Sequence, residues 1–187
     1  MSLRQLPNII CVGRILLVVP IAMLLFRGEF TQTLLLFGVA AFSDALDGFL
    51  AKRFGWTTEL GKVLDPLADK LLLVTVFITL AAAGYTPAWL AFVVVARDVI
   101  IGIGALTFYW LFGPLHGRPT AVSKLNTLLQ LLYVLAAIAS LAFGWPDESI
   151  VLALGAGVFV TTFVSGIDYV VTYIRRAHAV VHSRRTA

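Results

Sequence analysis

Six apolar stretches dominate the chain and constrain its fold more than any other feature. Each is close to the roughly 20 residues that a helix needs to cross the hydrocarbon core of a membrane. Hydrophobic residues make up 60% of the 187 residues and charged residues 13%, against about 25% charged residues in soluble domains. Because backbone polar groups in lipid must be paired within their own segment, such stretches favour helices. We predict an all-α polytopic membrane protein, a single domain over residues 1–187, with six transmembrane helices at 9–26, 32–50, 66–84, 88–112, 121–143 and 149–174.

Nine of the 14 basic residues fall on one side of this six-span layout. They are Arg4, Lys52, Arg53, Lys62, Arg118, Arg175, Arg176, Arg184 and Arg185. The other side has Arg27 with Glu29, a neutral turn at 84–87 and the acidic pair Asp147 and Glu148. Because cytoplasmic loops are enriched in Lys and Arg, both termini and the connections after the second and fourth spans should face the cytoplasm. We expect a protein of the inner, cytoplasmic membrane with a basic cytoplasmic tail at 175–187, and we expect no nucleic-acid partner.

The first apolar stretch contains one charged residue, Arg14. A secretory signal peptide has an uninterrupted apolar region followed by a small-residue cleavage site, and this stretch has neither. We therefore expect it to be a transmembrane helix of the mature protein.

Four aspartates lie where the second span ends and the third begins: Asp44, Asp47, Asp65 and Asp69. Spacings of three and four residues place each pair on one side of its helix, and the loop between the spans brings the pairs to the same membrane face. Carboxylates gathered in a medium of low dielectric repel one another unless cations lie between them. Oxygen ligands favour Mg²⁺, Mn²⁺ or Ca²⁺ over zinc, and two such ions close together suit phosphoryl chemistry.

Small and basic residues surround the aspartates. Gly48 and Ala51 leave a shallow wall on which a planar group or a phosphate could approach the backbone, and Gly61 allows a close approach before Asp65. Lys52 and Arg53 add positive charge suited to a diphosphate. This surrounding favours a ligand site over simple packing.

Two other interpretations of the aspartates remain. They could pair at the membrane surface with Lys52, Arg53, Lys62 and Lys70, or they could belong to an ion pathway, which intramembrane carboxylates often mark. Transporter sites usually lie near the membrane midplane on broken helices between repeated halves, whereas this cluster lies at one interface.

Polar residues in the fourth and fifth spans suggest a second substrate site. Ser123, Thr127 and Gln130 recur at helical spacing, with Lys124 beside them. Arg97 and Asp98 lie in the fourth span, and Arg118 lies in the connection between the two. The basic residues of this set could bind an anionic acceptor. Alternatively, Arg97 and Asp98 form a pair that only locks the helices together.

The aspartate region resembles the signature of the CDP-alcohol phosphotransferases, membrane enzymes of phospholipid synthesis. The matching pattern is Asp44-x-x-Asp47-Gly48-x-x-Ala51-Lys52, then eight residues, then Gly61-x-x-x-Asp65-x-x-x-Asp69. The one departure is Lys52, where the family usually has Arg. The charge is kept but the bidentate fork is lost, unless Arg53 replaces it.

The resemblance implies a role for each residue of the pattern. It implies that an acceptor hydroxyl attacks the β-phosphorus of a CDP-lipid, here CDP-diacylglycerol, with release of CMP. The four aspartates would hold two divalent cations, Mg²⁺ or Mn²⁺, and Asp69 would also be the general base. The residues that would hold the CDP portion are Asp44, Gly48, Ala51, Lys52 and Gly61.

Local matches indicate the acceptor. The segments 7–8, 64–70, 96–99 and 123–130 look most similar to the CMP-forming cardiolipin synthases, whose acceptor is phosphatidylglycerol. Phosphatidylglycerophosphate synthases, which use glycerol 3-phosphate, share most of the frame and stay the alternative. The residues expected to bind the acceptor are Arg97, Arg118, Ser123, Lys124 and Thr127. The resemblance also implies a homodimer.

Overall fold

The computed structural model describes residues 6–54, 59–112 and 120–185 of the chain. Within these ranges it describes the side chains except at 6–9, 45, 47–52, 59–64, 109, 112, 174 and 176–185. The described residues form six helices and no strand, which confirms the all-α prediction. The helices are α1 (Leu6–Phe26), α2 (Phe30–Phe54), α3 (Glu59–Ala82), α4 (Ala88–Phe112), α5 (Ala121–Phe143) and α6 (Glu148–Arg185).

Within the described residues, three helical segments are long and apolar enough to cross a membrane: Ala88–Phe108, Ala121–Phe143 and Glu148–Tyr173. Two shorter apolar segments, Ile10–Phe26 and Phe30–Asp44, precede them. Large apolar side chains such as Leu16, Phe42 and Phe92 are exposed on the outside of the helices. Such a surface is suited to lipid rather than to water. The chain is an integral membrane protein.

Four helices extend beyond the stretches predicted from hydropathy, and α3 and α6 extend the furthest. α3 begins at Glu59, seven residues before the predicted start of the third span, and α6 continues through the basic tail to Arg185. Apolar composition marks only the part of a helix that suits hydrocarbon, whereas the polar turns at its ends keep their backbone hydrogen bonds in water. For α3 and α6, the full length of the helix is therefore greater than the length of the part suited to the membrane.

Short connections join α1 to α2, α3 to α4 and α5 to α6. Each contains a glycine in the left-handed region: Gly28 at φ 78°, Gly84 at φ 80° and Gly144 at φ 69°. Other residues rarely adopt this conformation without strain, so glycine permits each reversal. Because successive helices run in opposite directions, the three connections lie at one end of the bundle, which we call the turn end. The ring of Phe30 contacts that of Tyr85 there, with centroids 5.2 Å apart.

The apolar core is built from residues of all six helices. α1 packs against α2 and α3, and α5 packs against α2 and α6. The fully buried core side chains include Ile21, Phe37, Val76, Leu80 and Ile138. This packing brings the polar residues of α1, α2 and α3 together at the end opposite the turns, which we call the site end.

Candidate functional site

Arg14 joins two of the predicted aspartates. Its Nη1 donates to Oδ1 of Asp44 at 2.7 Å and to Oδ1 of Asp69 at 2.5 Å. Asp44 lies in α2 and Asp69 in α3, so the first three helices meet at the guanidinium of Arg14. Both oxygens accept a hydrogen bond from the same nitrogen atom, so the two carboxylates lie close together. Arg14 is 2% exposed, whereas both carboxylates are partly exposed.

Asp65 lies one helical turn before Asp69 in α3. Its Oδ1 is buried and has no hydrogen-bond partner within the described part of the chain. A buried carboxylate oxygen without a partner is costly unless a donor or a metal ion completes it. Asp65 and Asp69 line the same cavity. This arrangement fits an oxygen-coordinated cation better than a salt bridge.

The other residues of the aspartate pattern have no described side chains. The backbone places Asp47, Gly48, Ala51 and Lys52 in α2 and Gly61 in α3. Among the side chains that are described, no three of His, Cys, Asp and Glu come together as metal ligands. Of the four predicted aspartates, the described side chains show Asp44 and Asp69 joined through Arg14 and Asp65 one helical turn before Asp69, but these three do not form a metal-ligand cluster.

A second polar cluster links α3 to α4. Nζ of Lys70 donates to both carboxylate oxygens of Asp98, at 2.6 and 2.7 Å. Nη1 of Arg97 donates to Oδ1 of the same carboxylate at 2.6 Å. Asp98 therefore neutralises part of the charge of two cations.

Arg97 extends this cluster to α5 and α6. Its Nη2 donates to Oγ of Ser123 at 2.9 Å and also to Oγ of Ser165. The guanidinium carbon lies 5.7 Å from the ring centroid of Tyr169, a cation–π distance. Arg97 is 6% exposed, and its Nε has no hydrogen-bond partner among the described residues.

One cavity of about 820 Å³ connects the two clusters. Asp65 and Asp69 line it on the α3 side, and Arg97, Asp98 and Tyr169 line it on the other side. Its remaining polar lining consists of Lys70, Ser123, Lys124 and Thr127. The cavity therefore places carboxylates beside cations and hydroxyl groups.

The structure brings together most of the predicted acceptor residues. Arg97, Ser123, Lys124 and Thr127 all line the cavity, whereas Arg118 lies outside the described residues. Gln130, which the helical spacing groups with Ser123 and Thr127, is fully buried and is not in the cavity lining. The buried face of α5 runs instead through Ser123, Asn126 and Gln130. Oδ1 of Asn126 accepts hydrogen bonds from the hydroxyl groups of two α6 residues, Thr161 and Thr162.

Sequence reasoning missed several residues of the site. In the sequence, Arg14 marks only an interruption of the first apolar stretch, although a charge inside a transmembrane segment is itself a signal of function. Ser165 and Tyr169 are four residues apart in α6, a spacing that places both on one face. Serine and tyrosine are too common in membrane helices for that spacing to stand out. Ser165 and Tyr169 are identified as residues of the candidate site only by their contacts with Arg97.

Comparison with known proteins gives one family. The sequence matches the CDP-alcohol phosphatidyltransferase family over residues 4–174. It is 32% identical over 183 residues to a cardiolipin synthase (CMP-forming) of Rattus norvegicus and 31% identical over 183 residues to that of Homo sapiens. Each alignment covers 88% of this chain and 60% of the relative, so the chain spans about 60% of the length of these relatives. It is also 32% identical over 186 residues to the CDP-diacylglycerol--glycerol-3-phosphate 3-phosphatidyltransferase of Bacillus subtilis, covering 88% of this chain and 93% of the relative.

Proposed function

The chain belongs to the CDP-alcohol phosphatidyltransferase family, and from this premise we propose that it transfers the phosphatidyl group of CDP-diacylglycerol to an acceptor alcohol in phospholipid synthesis. In this reaction the acceptor oxygen forms a bond to the phosphorus of the phosphatidyl group, the bond to CMP breaks, and the hydroxyl proton passes to a base. The observation that carries the proposal is the shared cavity. It has carboxylates on one side and Arg97, Ser123 and Lys124 on the other.

The donor set fits two divalent cations, Mg²⁺ or Mn²⁺. The proposed ligands are Asp44, Asp47, Asp65 and Asp69, which offer oxygen atoms only, as these ions prefer. The unpartnered Oδ1 of Asp65 supports the assignment. Such ions, when bound, neutralise the charge of the diphosphate and of the leaving CMP.

The protein's own groups then have distinct roles. Asp69, which lines the cavity, is assigned as the base that accepts the proton of the acceptor hydroxyl, as the family resemblance implies. The CDP portion lies against the aspartate pattern, held by Asp44, Gly48, Ala51, Lys52 and Gly61. Arg53 supports Lys52 with a second positive charge.

The acceptor side of the cavity is assigned to phosphatidylglycerol. Arg97, Ser123, Lys124 and Thr127 bind its headgroup, and Arg118, outside the described residues, is proposed as a further cation of the acceptor site. Asp98 already pairs with Lys70 and Arg97, which reduces the positive charge available in the cavity. A phosphodiester carries one negative charge, whereas a phosphate monoester carries about 1.5 to 2 at pH 7. A reduced positive charge therefore favours phosphatidylglycerol, giving cardiolipin, over glycerol 3-phosphate.

Glycerol 3-phosphate is the second candidate acceptor, since a relative of similar identity is named for it. The deciding experiment incubates the purified protein with CDP-diacylglycerol and Mn²⁺ or Mg²⁺, together with either acceptor. CMP and the lipid product are measured together, with an EDTA control. Metal-dependent CMP release with cardiolipin supports the first assignment, and release with phosphatidylglycerophosphate supports the second. A folded sample that releases no CMP with any acceptor would contradict the transfer reaction and favour an ion-pathway role.

We also propose how the protein is placed in the membrane. All six helices cross the inner, cytoplasmic membrane as a single domain, with the site end, both termini and the basic tail at 175–187 in the cytoplasm. The neutral and acidic turns of the turn end, with Asp147 and Glu148, support this orientation. Soluble CMP can then leave to the cytoplasm while the acyl chains stay in lipid. The assembly is proposed to be a homodimer, and crosslinking in native membranes would test it.

A further inference from the structure

Arg14 occupies an unusual position for a charged residue. It lies within the first apolar helix and is almost completely buried. A buried guanidinium is expensive unless carboxylates pair with it. Here one nitrogen bonds two carboxylates from two other helices, Asp44 at 2.7 Å and Asp69 at 2.5 Å. Arg14 thus takes the place between the two oxygens that a shared cation would take.

We propose that Arg14 is a built-in counter-cation that holds Asp44 and Asp69 together and thereby limits how tightly the site binds a divalent metal ion. Arg14 is a positioning residue in this proposal and takes no part in the bond changes. The inference rests on the proposed function only in assigning these carboxylates to a metal ion.

The expected behaviour follows from the charges. Without a metal ion, the single charge of Arg14 offsets part of the repulsion between the two carboxylates. A divalent ion that binds the same carboxylates must do so beside the guanidinium, which repels it. Removing the charge of Arg14 should therefore destabilise the metal-free protein and strengthen metal binding. If Arg14 only filled space, its replacement would change the stability of the metal-free and of the metal-bound protein by the same amount.

The test compares Arg14→Gln with the wild-type protein in detergent, without any lipid substrate. Thermal unfolding is measured in EDTA and in Mn²⁺, and free Mn²⁺ is titrated by electron paramagnetic resonance. We expect Arg14→Gln to lower the Tm in EDTA, to increase the Tm gain from Mn²⁺, and to raise the Mn²⁺ affinity about tenfold. The matched control is Arg27→Gln, which removes an exposed arginine in the turn just after α1, far from Arg14 along the chain, and should change neither the Tm nor the Mn²⁺ affinity.

Two further variants keep the proposal testable if Arg14→Gln does not fold. Arg14→Lys keeps the charge and should leave the Mn²⁺ affinity close to that of the wild-type protein. The double variant Arg14→Gln/Asp44→Asn removes one charge of each sign, and it should be recovered in EDTA in better yield than Arg14→Gln alone.

Several results would overturn the inference. These are an equal loss of Tm in EDTA and in Mn²⁺, a weaker Mn²⁺ affinity in Arg14→Gln, a tenfold change in Arg14→Lys, or no recovery in the double variant. The failure of the proposed function has a different signature. If the wild-type protein itself binds no Mn²⁺, the metal assignment is wrong. If it binds Mn²⁺ and the Arg14 variants behave like it, only the counter-cation role is wrong.

Discussion

The two ends of the bundle differ in how their polar groups are paired by hydrogen bonds. At the turn end, the hydroxyl groups of Thr86 and Tyr133 bond each other at 3.0 Å, and Asp147 accepts from Ser149 at 2.7 Å. At the site end, buried polar atoms of Asp65 and Arg97 have no partner among the described residues. Unpaired buried polar atoms destabilise a protein unless a ligand completes them. The difference indicates that the turn end holds the bundle together and that the site end is shaped for substrates.

The largest effect should come from exchanging a carboxylate for an amide at each end. Asp69→Asn removes a proposed metal ligand and the proposed base, so CMP release should fall by about 1,000-fold, within the range known for loss of such groups. Asp147→Asn makes the same chemical change at the turn end and should leave turnover unchanged. Turnover is measured as CMP released from CDP-diacylglycerol, with the Tm recorded to show that both variants fold. Similar activity in the two variants would remove the functional distinction between the ends.

A smaller effect is expected on the acceptor side of the cavity. Asp98→Asn removes the charge that pairs with Lys70 and Arg97 at 2.6 Å. The cavity becomes more positive, so the ratio of kcat/KM for glycerol 3-phosphate to that for phosphatidylglycerol should rise about tenfold, the factor that corresponds to about 1.4 kcal/mol. Glu148→Gln, a neutralisation at the turn end, is the control and should leave the ratio unchanged. An unchanged ratio in Asp98→Asn would mean that this cluster only locks the helices.

The third prediction concerns packing near the turn end and should change stability without changing turnover. A Cβ at Gly155 would lie 3.1 Å from the ring of Tyr133, whereas one at Gly157 would meet only Leu129 at 3.8 Å. The Tyr133 ring is held in place because it stacks on Phe77, with centroids 5.6 Å apart.

Gly155→Ala should therefore destabilise the protein by about 1 kcal/mol through overpacking. Gly157→Ala should be neutral or stabilise it by up to about 1 kcal/mol through helix propensity. Thermal unfolding in detergent distinguishes the pair. If both variants gain stability, the Tyr133 ring has moved and the turn end is less rigid than its contacts indicate.

The fourth prediction removes the buried hydrogen bond of the turn end. Tyr133→Phe leaves the hydroxyl of Thr86 buried without its partner and should cost about 1 kcal/mol of unfolding free energy, with turnover unchanged. Thr86→Val should cost a similar amount. In the double variant, Thr86→Val removes a hydroxyl that Tyr133→Phe has already left unpaired. The double variant should therefore lose less unfolding free energy than the two single variants together. Strictly additive losses would show that the two hydroxyl groups do not stabilise each other.

Apolar patterning was enough to predict the helical fold, since six apolar stretches correspond to six helices. It could not predict the start of α3 at Glu59 or the continuation of α6 to Arg185. Those turns are polar, and hydropathy reports only the part of a helix suited to lipid. Within the described residues, membrane crossing is clearest for α4, α5 and α6.

Which residues lie together in the candidate site can be predicted where spacing within one helix decides it. Asp65 and Asp69, or Ser123 and Thr127, are joined by helical periodicity, which any reader of the sequence can count. Arg14 and Ser165 depend instead on which helices pack together, because their partners lie 55 and 68 residues away in the sequence. Periodicity holds no information on such pairings. Gln130 shows the opposite case, where the spacing was right but the helix turns that residue away from the cavity lining.

The smallest predicted effect lies at the turn that precedes α6. The side chain of Ser149 donates to the exposed carboxylate of Asp147 and, with backbone donors, lowers the pKa of Asp147 below its ordinary value. A carboxylate with a lowered pKa in the folded state stabilises the fold above its ordinary pKa, and this contribution is lost as the pH falls through the lowered value. Ser149→Ala removes the main donor, so its Tm should be slightly below that of the wild-type protein at pH 6, by less than in Tyr133→Phe. The difference should shrink when both proteins are unfolded at pH values below the ordinary pKa of an aspartate. A Tm difference that is independent of pH would show that Ser149 acts through packing or helix propensity, because only the hydrogen bond to the ionised carboxylate depends on the titration of Asp147.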